Sequence, residues 1–99
     1  MISPYAYYAA TALQWYYKMQ PKPERFYSRA VANNWNACEM ILSDCDEKMN
    51  AILKDIYLSK DTKSDAVYEA SKKYNTSQEA IWTMMSRIEK RFAQERGLI

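Results

Sequence analysis

The sequence contains no histidine and only one glycine, Gly97, among its 99 residues. The lack of histidine removes the commonest general base and metal ligand, and the lack of glycine before Gly97 excludes a glycine-rich phosphate loop. The two cysteines do not form a zinc site without histidine partners. We therefore expect a protein that is not an enzyme, with no catalytic residue, no metal site and no cofactor.

Residues that interrupt helices are also scarce, since all three prolines occur within the first 23 residues. The rest of the chain is rich in Ala, Met, Lys, Glu and Gln and lacks an alternation of apolar and polar residues. This pattern predicts an all-α fold, a compact bundle of about four to five helices. The length suits a single domain over residues 1–99, which we divide into segments 1–23, 24–58 and 59–99.

Long apolar runs are absent as well. No run of eighteen apolar residues and no secretory hydrophobic segment occurs, so the sequence predicts a cytoplasmic protein that does not contact membranes. Cys38 and Cys45 would lie about 10 Å apart on a continuous helix, too far for a disulfide. The net charge of +2 is too small to indicate nucleic-acid binding by itself.

The N-terminal segment is dense in aromatic residues. Ser3 and Pro4 suit the N-cap and the first position of a helix that Pro21 and Pro23 end. One stripe of this helix comprises Tyr5, Tyr8, Ala9, Ala12, Trp15, Tyr16 and Met19. We expect these side chains to pack on the domain, with a dimer face or a groove for another protein as the alternative. The candidate interface residues are Tyr5, Tyr8, Trp15, Tyr16 and Trp35.

The middle segment carries a heptad pattern of apolar residues. The pattern comprises Val31, Trp35, Cys38, Leu42, Cys45, Met49, Ile52 and Ile56. Such a pattern fits either one long helix that pairs with a second chain or two shorter helices that share one core. We favour a break near Ser43 and Asp44, because both are good N-cap residues and acids follow them in what would be a first helical turn.

The C-terminal segment has the pattern of two helices joined by a tight turn. Residues 65–74 place Val67, Ala70, Ser71 and Tyr74 on one face. Asn75 follows, and asparagine tolerates the left-handed backbone that often ends a helix. Thr76 and Glu79 fit a capping box that opens the next helix. The inner face of that helix would carry Ile81, Met84, Met85, Ile88 and Phe92, and its outer face Ser77, Gln78, Trp82, Thr83, Ser86, Arg87 and Lys90.

This arrangement resembles the last DNA-binding region of sigma factors, region 4, and the sigma-like regulators of phages and prophages. The resemblance covers about residues 46–96, including residues 49–58 as the helix before the motif and residues 87–92 as a basic tail. Two features depart from the family pattern. Residues 43–46 stand where the family usually has a Leu-Pro pair, and Asn75 replaces the glycine of the turn.

The resemblance implies a helix-turn-helix that places residues 77–96 in the major groove of double-stranded DNA. Gln78, Thr83, Ser86 and Arg87 would then contact base edges, with Ser77 and Trp82 on the same surface. Phosphates would be held by Lys72, Lys73, Lys90 and Arg91. A DNA-binding face of this kind needs the fold to bring these four cations together with Arg87 and Arg96. The implied partners are double-stranded DNA and RNA polymerase or another protein. We also expect a homodimer, because a three-helix core formed by residues 46–96 can hardly cover both the aromatic stripe of residues 5–19 and the heptad pattern of residues 31–56.

Two further interpretations remain open at the level of sequence. A helical protein-interaction module, such as a small phage-encoded inhibitor or adaptor, would use the aromatic helix and the heptad pattern without touching DNA. A small packaging protein similar to small terminase subunits would keep the DNA-binding unit and use it differently.

Overall fold

Five α-helices form the regular structure of residues 5–99, the part of the chain that the computed structural model describes. They are α1 (Ala6–Lys18), α2 (Arg29–Leu42), α3 (Glu47–Leu58), α4 (Lys63–Lys73) and α5 (Gln78–Glu95). The prediction of an all-α bundle is confirmed for these residues, which contain no strand. The predicted helix start at Ser3 and Pro4 lies outside the described residues.

Helix α1 packs against α2, α3 and α5. Its buried face differs from the predicted stripe, because Leu13 and Tyr17 are buried while Tyr8 and Met19 are 42% and 41% exposed. The Tyr17 hydroxyl donates a hydrogen bond to Asn50 Oδ1 at 2.6 Å. The hydroxyl of Tyr16 likewise donates to Glu39 at 2.8 Å. The two tyrosine rings are therefore buried while their hydroxyl groups keep hydrogen-bond partners.

An aromatic cluster surrounds Trp35, which is 1% exposed. Its ring centroid lies 4.6 Å from that of Tyr16, 5.6 Å from that of Trp15 and 5.8 Å from that of Phe26. Such pairs each contribute about 0.5–1.5 kcal/mol beyond the area they bury. Within residues 5–99 the buried indole Nε1 of Trp35 has no hydrogen-bond partner, which costs about 1–3 kcal/mol. The cluster fixes α1 and the following connection over the first half of the heptad pattern.

The heptad pattern is divided between two helices, so the predicted break is confirmed. The N-cap of α3 is Asp46, however, and not Ser43 or Asp44. Asp46 Oδ1 accepts a hydrogen bond from the Met49 N–H at 2.7 Å, whereas the Ser43 hydroxyl donates back to Met40 of α2. Residues 43–45 are instead used to turn the chain, since the Cys45 N–H donates to the Leu42 carbonyl at 3.1 Å.

Both cysteines are free thiols, as the sequence predicted. Cys38 is fully buried in the core, and this burial raises the pKa of its thiol to about 12. Burial also raises the pKa of the half-buried Cys45. The two side chains therefore act as small apolar residues.

Helices α3, α4 and α5 form the C-terminal part of the bundle, in which α4 packs on both other helices. Thr62 is the N-cap of α4, because its Oγ1 accepts a hydrogen bond from the Asp65 N–H at 3.2 Å. The core of all five helices is continuous, and the Cα radius of gyration of 13.2 Å is that expected for one domain of this length. Helix α5 is thus held from one side by α1, α2 and α4.

Candidate nucleic-acid interface

The turn between α4 and α5 is a Schellman motif. Asn75 has a φ of 50°, which confirms the predicted left-handed residue. The Thr76 N–H donates to the Ser71 carbonyl at 3.0 Å, and the Asn75 N–H points to the Lys72 carbonyl at 3.4 Å. These two bonds satisfy the last carbonyls of α4 and fix the path into α5.

Helix α5 begins one residue later than predicted. Ser77 is the N-cap, and its Oγ accepts from the Ala80 N–H at 3.1 Å. The Thr76 N–H, which would donate to Glu79 in a capping box, donates to the Ser71 carbonyl instead, and the Thr76 hydroxyl donates to the Tyr74 carbonyl. The predicted capping box of Thr76 and Glu79 is therefore wrong. The Glu79 side chain is exposed on the outer face of α5 instead.

The two faces of α5 are those predicted. Ile81, Met85, Ile88 and Phe92 are buried, and Met84 is partly buried against the core. Trp82 is 40% exposed and so does not belong to the core. The exposed face presents hydroxyl, amide, aromatic and basic groups from Ser77, Gln78, Trp82, Thr83, Ser86, Arg87 and Lys90. Because the inner face is buried, this polar face is carried on a rigid element.

Several cations predicted to hold phosphates lie in ion pairs. Arg91 is 2.9 Å from Asp44, and Lys73 is 2.9 Å from Asp55. Lys72 forms a longer pair with Glu69 at 3.6 Å. Within residues 5–99, by contrast, no carboxylate lies within 4.0 Å of the charged groups of Arg87 and Lys90. These two side chains are the unpaired cations of the α5 outer face.

Asp55 draws Lys73 towards α3. The Tyr74 hydroxyl donates to Asp55 Oδ2 at 2.6 Å, and Lys73 Nζ donates to the same oxygen at 2.9 Å. Burial alone would raise the pKa of Asp55, but the two hydrogen bonds and the charge of Lys73 outweigh burial and lower it. The same contacts raise the pKa of Lys73. Lys73 is therefore charged but directed to a carboxylate.

Arg96 lies apart from the other cations. Its Nε donates to Asn34 Oδ1 of α2 at 2.6 Å, at the C-terminal end of α5. The fold thus places Arg87, Lys90 and Arg91 within one turn of each other, but it does not add Arg96 to that group.

A groove of about 560 Å³ runs beside the outer face of α5. Its other wall is the connection between α2 and α3, and its floor includes Met49, Met84 and Ile88. The charged side chains on its rim are Asp44, Glu79, Arg87 and Arg91. The groove therefore brings an acidic loop next to two basic residues of α5.

The candidate interface residues of the N-terminal half are separated by the fold. Tyr16 and Trp35 are buried within the chain and are not available to a partner, whereas Tyr5 is partly exposed. Tyr8 and Trp15 line a second groove, of about 310 Å³, between α1 and α2. Sequence reasoning missed Tyr7, which lines this groove and is 81% exposed. Tyr7 lies outside the predicted apolar stripe of α1, and this position in the sequence could have indicated that its side chain is exposed.

Comparison of the chain with models of protein families, with characterised proteins and with solved structures gives no significant match. Residues 5–99 contain no helix with the length and apolar character needed to cross a membrane. The same residues contain no group of three or more cysteine and acidic side chains placed to hold a metal ion.

Proposed function

We propose that the protein is a DNA-binding transcription regulator, similar to sigma-like regulators of phage or prophage type. The observation that carries the proposal is the exposed polar and basic face of α5, held on a helix whose other side is buried. In the proposed complex α4 and α5 act as a helix-turn-helix, and α5 is the helix that enters the major groove. This is a binding function and not an enzymatic one.

The side chains of the α5 face have distinct proposed roles. Gln78, Thr83 and Ser86 contact base edges, and Arg87 donates two hydrogen bonds to a guanine. Lys90 holds a phosphate and sets the register of the helix on the duplex. Glu79 is exposed and does not cap α5, since Ser77 provides the cap, and its proposed role is to accept a hydrogen bond from a cytosine amino group.

Two substitutions on this face test the proposal. After a selection from random duplexes with the purified protein, Lys90→Ala should weaken binding to all sequences similarly. Arg87→Ala should cost about 1–3 kcal/mol and relax the preference at one base pair. Lys18→Ala, which removes an exposed positive charge from the last turn of α1, is the control. Fluorescence anisotropy at low salt is the measurement, and unchanged affinity for both α5 variants would contradict the proposal.

A second candidate function is a protein-interaction module that does not contact DNA. It is favoured by the groove between α1 and α2, where Tyr7 and Tyr8 present exposed aromatic surface. Salt distinguishes the two functions, because DNA binding that releases counterions weakens steeply as salt rises. Retention on heparin with such a salt dependence would favour a DNA-binding function, including the alternative of a packaging protein.

The homodimer also stays a prediction. Tyr16 and Trp35 are withdrawn from its candidate interface because they are buried. The surface left for a second copy is the α1–α2 groove with Tyr7, Tyr8 and Trp15. A dimer formed there would supply two copies of α5 for half-sites about one helical turn apart.

A further inference from the structure

We infer that Asp44 is an intramolecular competitor of DNA, which occupies Arg91 and so removes one phosphate contact from the interface. The inference rests on the proposed function and adds a regulating residue from outside the helix-turn-helix. Its basis is the ion pair between Arg91 of α5 and Asp44 of the α2–α3 connection, whose charged atoms are 2.9 Å apart.

The geometry puts Asp44 at the edge of the proposed DNA surface. Arg91 follows Arg87 by four residues, so both side chains lie on the same side of α5. Both also line the groove whose opposite wall carries Asp44. The Arg91 and Asp44 side chains are 42% and 64% exposed, so a phosphate has access to the guanidinium. A phosphate bound there would stand next to the Asp44 carboxylate.

Asp44 is not needed to build the fold at this point. Asp46, two residues later, is the residue that caps α3. An exposed ion pair such as Asp44–Arg91 adds little to folding stability. Its charge still acts on a phosphate that approaches Arg91, because like charges repel across the few ångströms involved. The effect of Asp44 is therefore expected in DNA affinity and not in stability.

Asp44→Asn tests the inference, because it removes the charge and keeps the size of the side chain. Affinity for duplex DNA should rise roughly two- to fivefold at low salt, and the gain should shrink as salt screens the charges. Release of Arg91 to a phosphate should also steepen the slope of log affinity against log salt by about 0.9. Anisotropy titrations at several salt concentrations, with one labelled duplex, measure both quantities.

Two further variants distinguish the release of Arg91 from a general effect of losing one negative charge. Glu24→Gln removes one negative charge from the exposed α1–α2 connection and should leave the slope unchanged. The double variant Asp44→Asn/Arg91→Ala lacks the cation, so its slope should not exceed that of the wild type. The thermal melt of Asp44→Asn should stay close to that of the wild type.

The possible outcomes are distinct. An unchanged slope in Asp44→Asn, an equal change in Glu24→Gln, or a steeper slope that persists without Arg91 would each overturn the inference. If wild type and variants alike fail to bind any duplex at low salt, the proposed function itself is contradicted.

Discussion

Glu89, on the inner flank of α5, accepts a hydrogen bond from the Tyr57 hydroxyl at 2.6 Å. The Lys63 ammonium lies 5.0 Å from the centroid of the same tyrosine ring. Burial raises the pKa of Glu89, and the hydrogen bond from Tyr57 and the charge of Lys63 offset only part of this rise. Burial also lowers the pKa of Lys63. One residue from each of α3, α4 and α5 therefore meets in a partly buried polar cluster.

The raised pKa of Glu89 makes stability depend on pH in a defined direction. The folded protein binds this proton more tightly than the unfolded chain, so stability falls as pH rises from about 4.5 through the folded-state pKa. Glu89→Gln keeps an acceptor for Tyr57 and removes the titration. We expect the stability of wild type relative to this variant to decline across that interval and to stay constant above it.

Urea unfolding at a series of pH values measures this difference. Glu95→Gln, on the exposed side of the same helix, is the matched control. A relative stability of wild type that is flat or rises across the interval would contradict the assignment.

At the residue scale the sequence predicts those conformations that depend only on residues adjacent in the chain. Asn75 was identified because few side chains tolerate its backbone. Thr76 and Ser77 are adjacent and both suit an N-cap, so the choice between them depended on which amide the Schellman turn uses. The sequence alone could not predict the cluster of Tyr57, Lys63 and Glu89, because its three residues are far apart in the chain.

At the scale of the element, α5 has one face that the fold requires and one that the proposed function requires. Ile81 and Ile88 are 0% and 4% exposed, so aspartate at either position would bury an unpaired charge. We expect Ile81→Asp and Ile88→Asp to unfold the domain, at a cost of several kcal/mol. Thermal melts followed by circular dichroism test this expectation.

Thr83→Asp is the control for these two variants, since it places the same charge on the exposed side of α5. It should melt close to the wild type and should weaken any DNA binding. A cooperative melt near that of the wild type for Ile81→Asp or Ile88→Asp would show that the buried face is assigned wrongly.

The sequence predicted the faces of α5 better than those of α1 for a physical reason. Charged and hydroxyl side chains mark the outer face of α5, whereas α1 has Lys18 as its only charged residue. Aromatic side chains occur around most of α1, so helical periodicity alone left its orientation open. Contacts with α2, α3 and α5 selected the face with Leu13 and Tyr17.

At the scale of the whole molecule, α1 decides how much apolar surface remains for a partner. The homodimer was predicted because a three-helix core of residues 46–96 could hardly cover both the aromatic stripe and the heptad pattern. In the structure α1 packs on α2, α3 and α5, and one chain buries most of the heptad pattern but only Ala9, Ala12 and Tyr16 of the aromatic stripe. The argument for a dimer is therefore reduced to the part of α1 that stays exposed beside the α1–α2 groove.

Sedimentation at micromolar concentration measures the oligomeric state. A homodimer through the groove should sediment at twice 11.7 kDa, and Tyr7→Ala should dissociate it without loss of stability, since Tyr7 is 81% exposed. Trp15→Ala should lower stability in either case, because its ring packs against Trp35 at 5.6 Å. A single species near 11.7 kDa would contradict the homodimer.

The placement of the three tryptophans gives the protein two optical probes of different events. Trp35 is enclosed in the aromatic cluster, so its emission should be blue-shifted and should move to the red only when the core opens. Trp82 is exposed beside the polar face of α5, where a bound duplex would quench its emission or shield it from added iodide. With Trp82→Phe as the reference, the intrinsic fluorescence of the unlabelled protein would distinguish occupation of α5 from unfolding in a single titration.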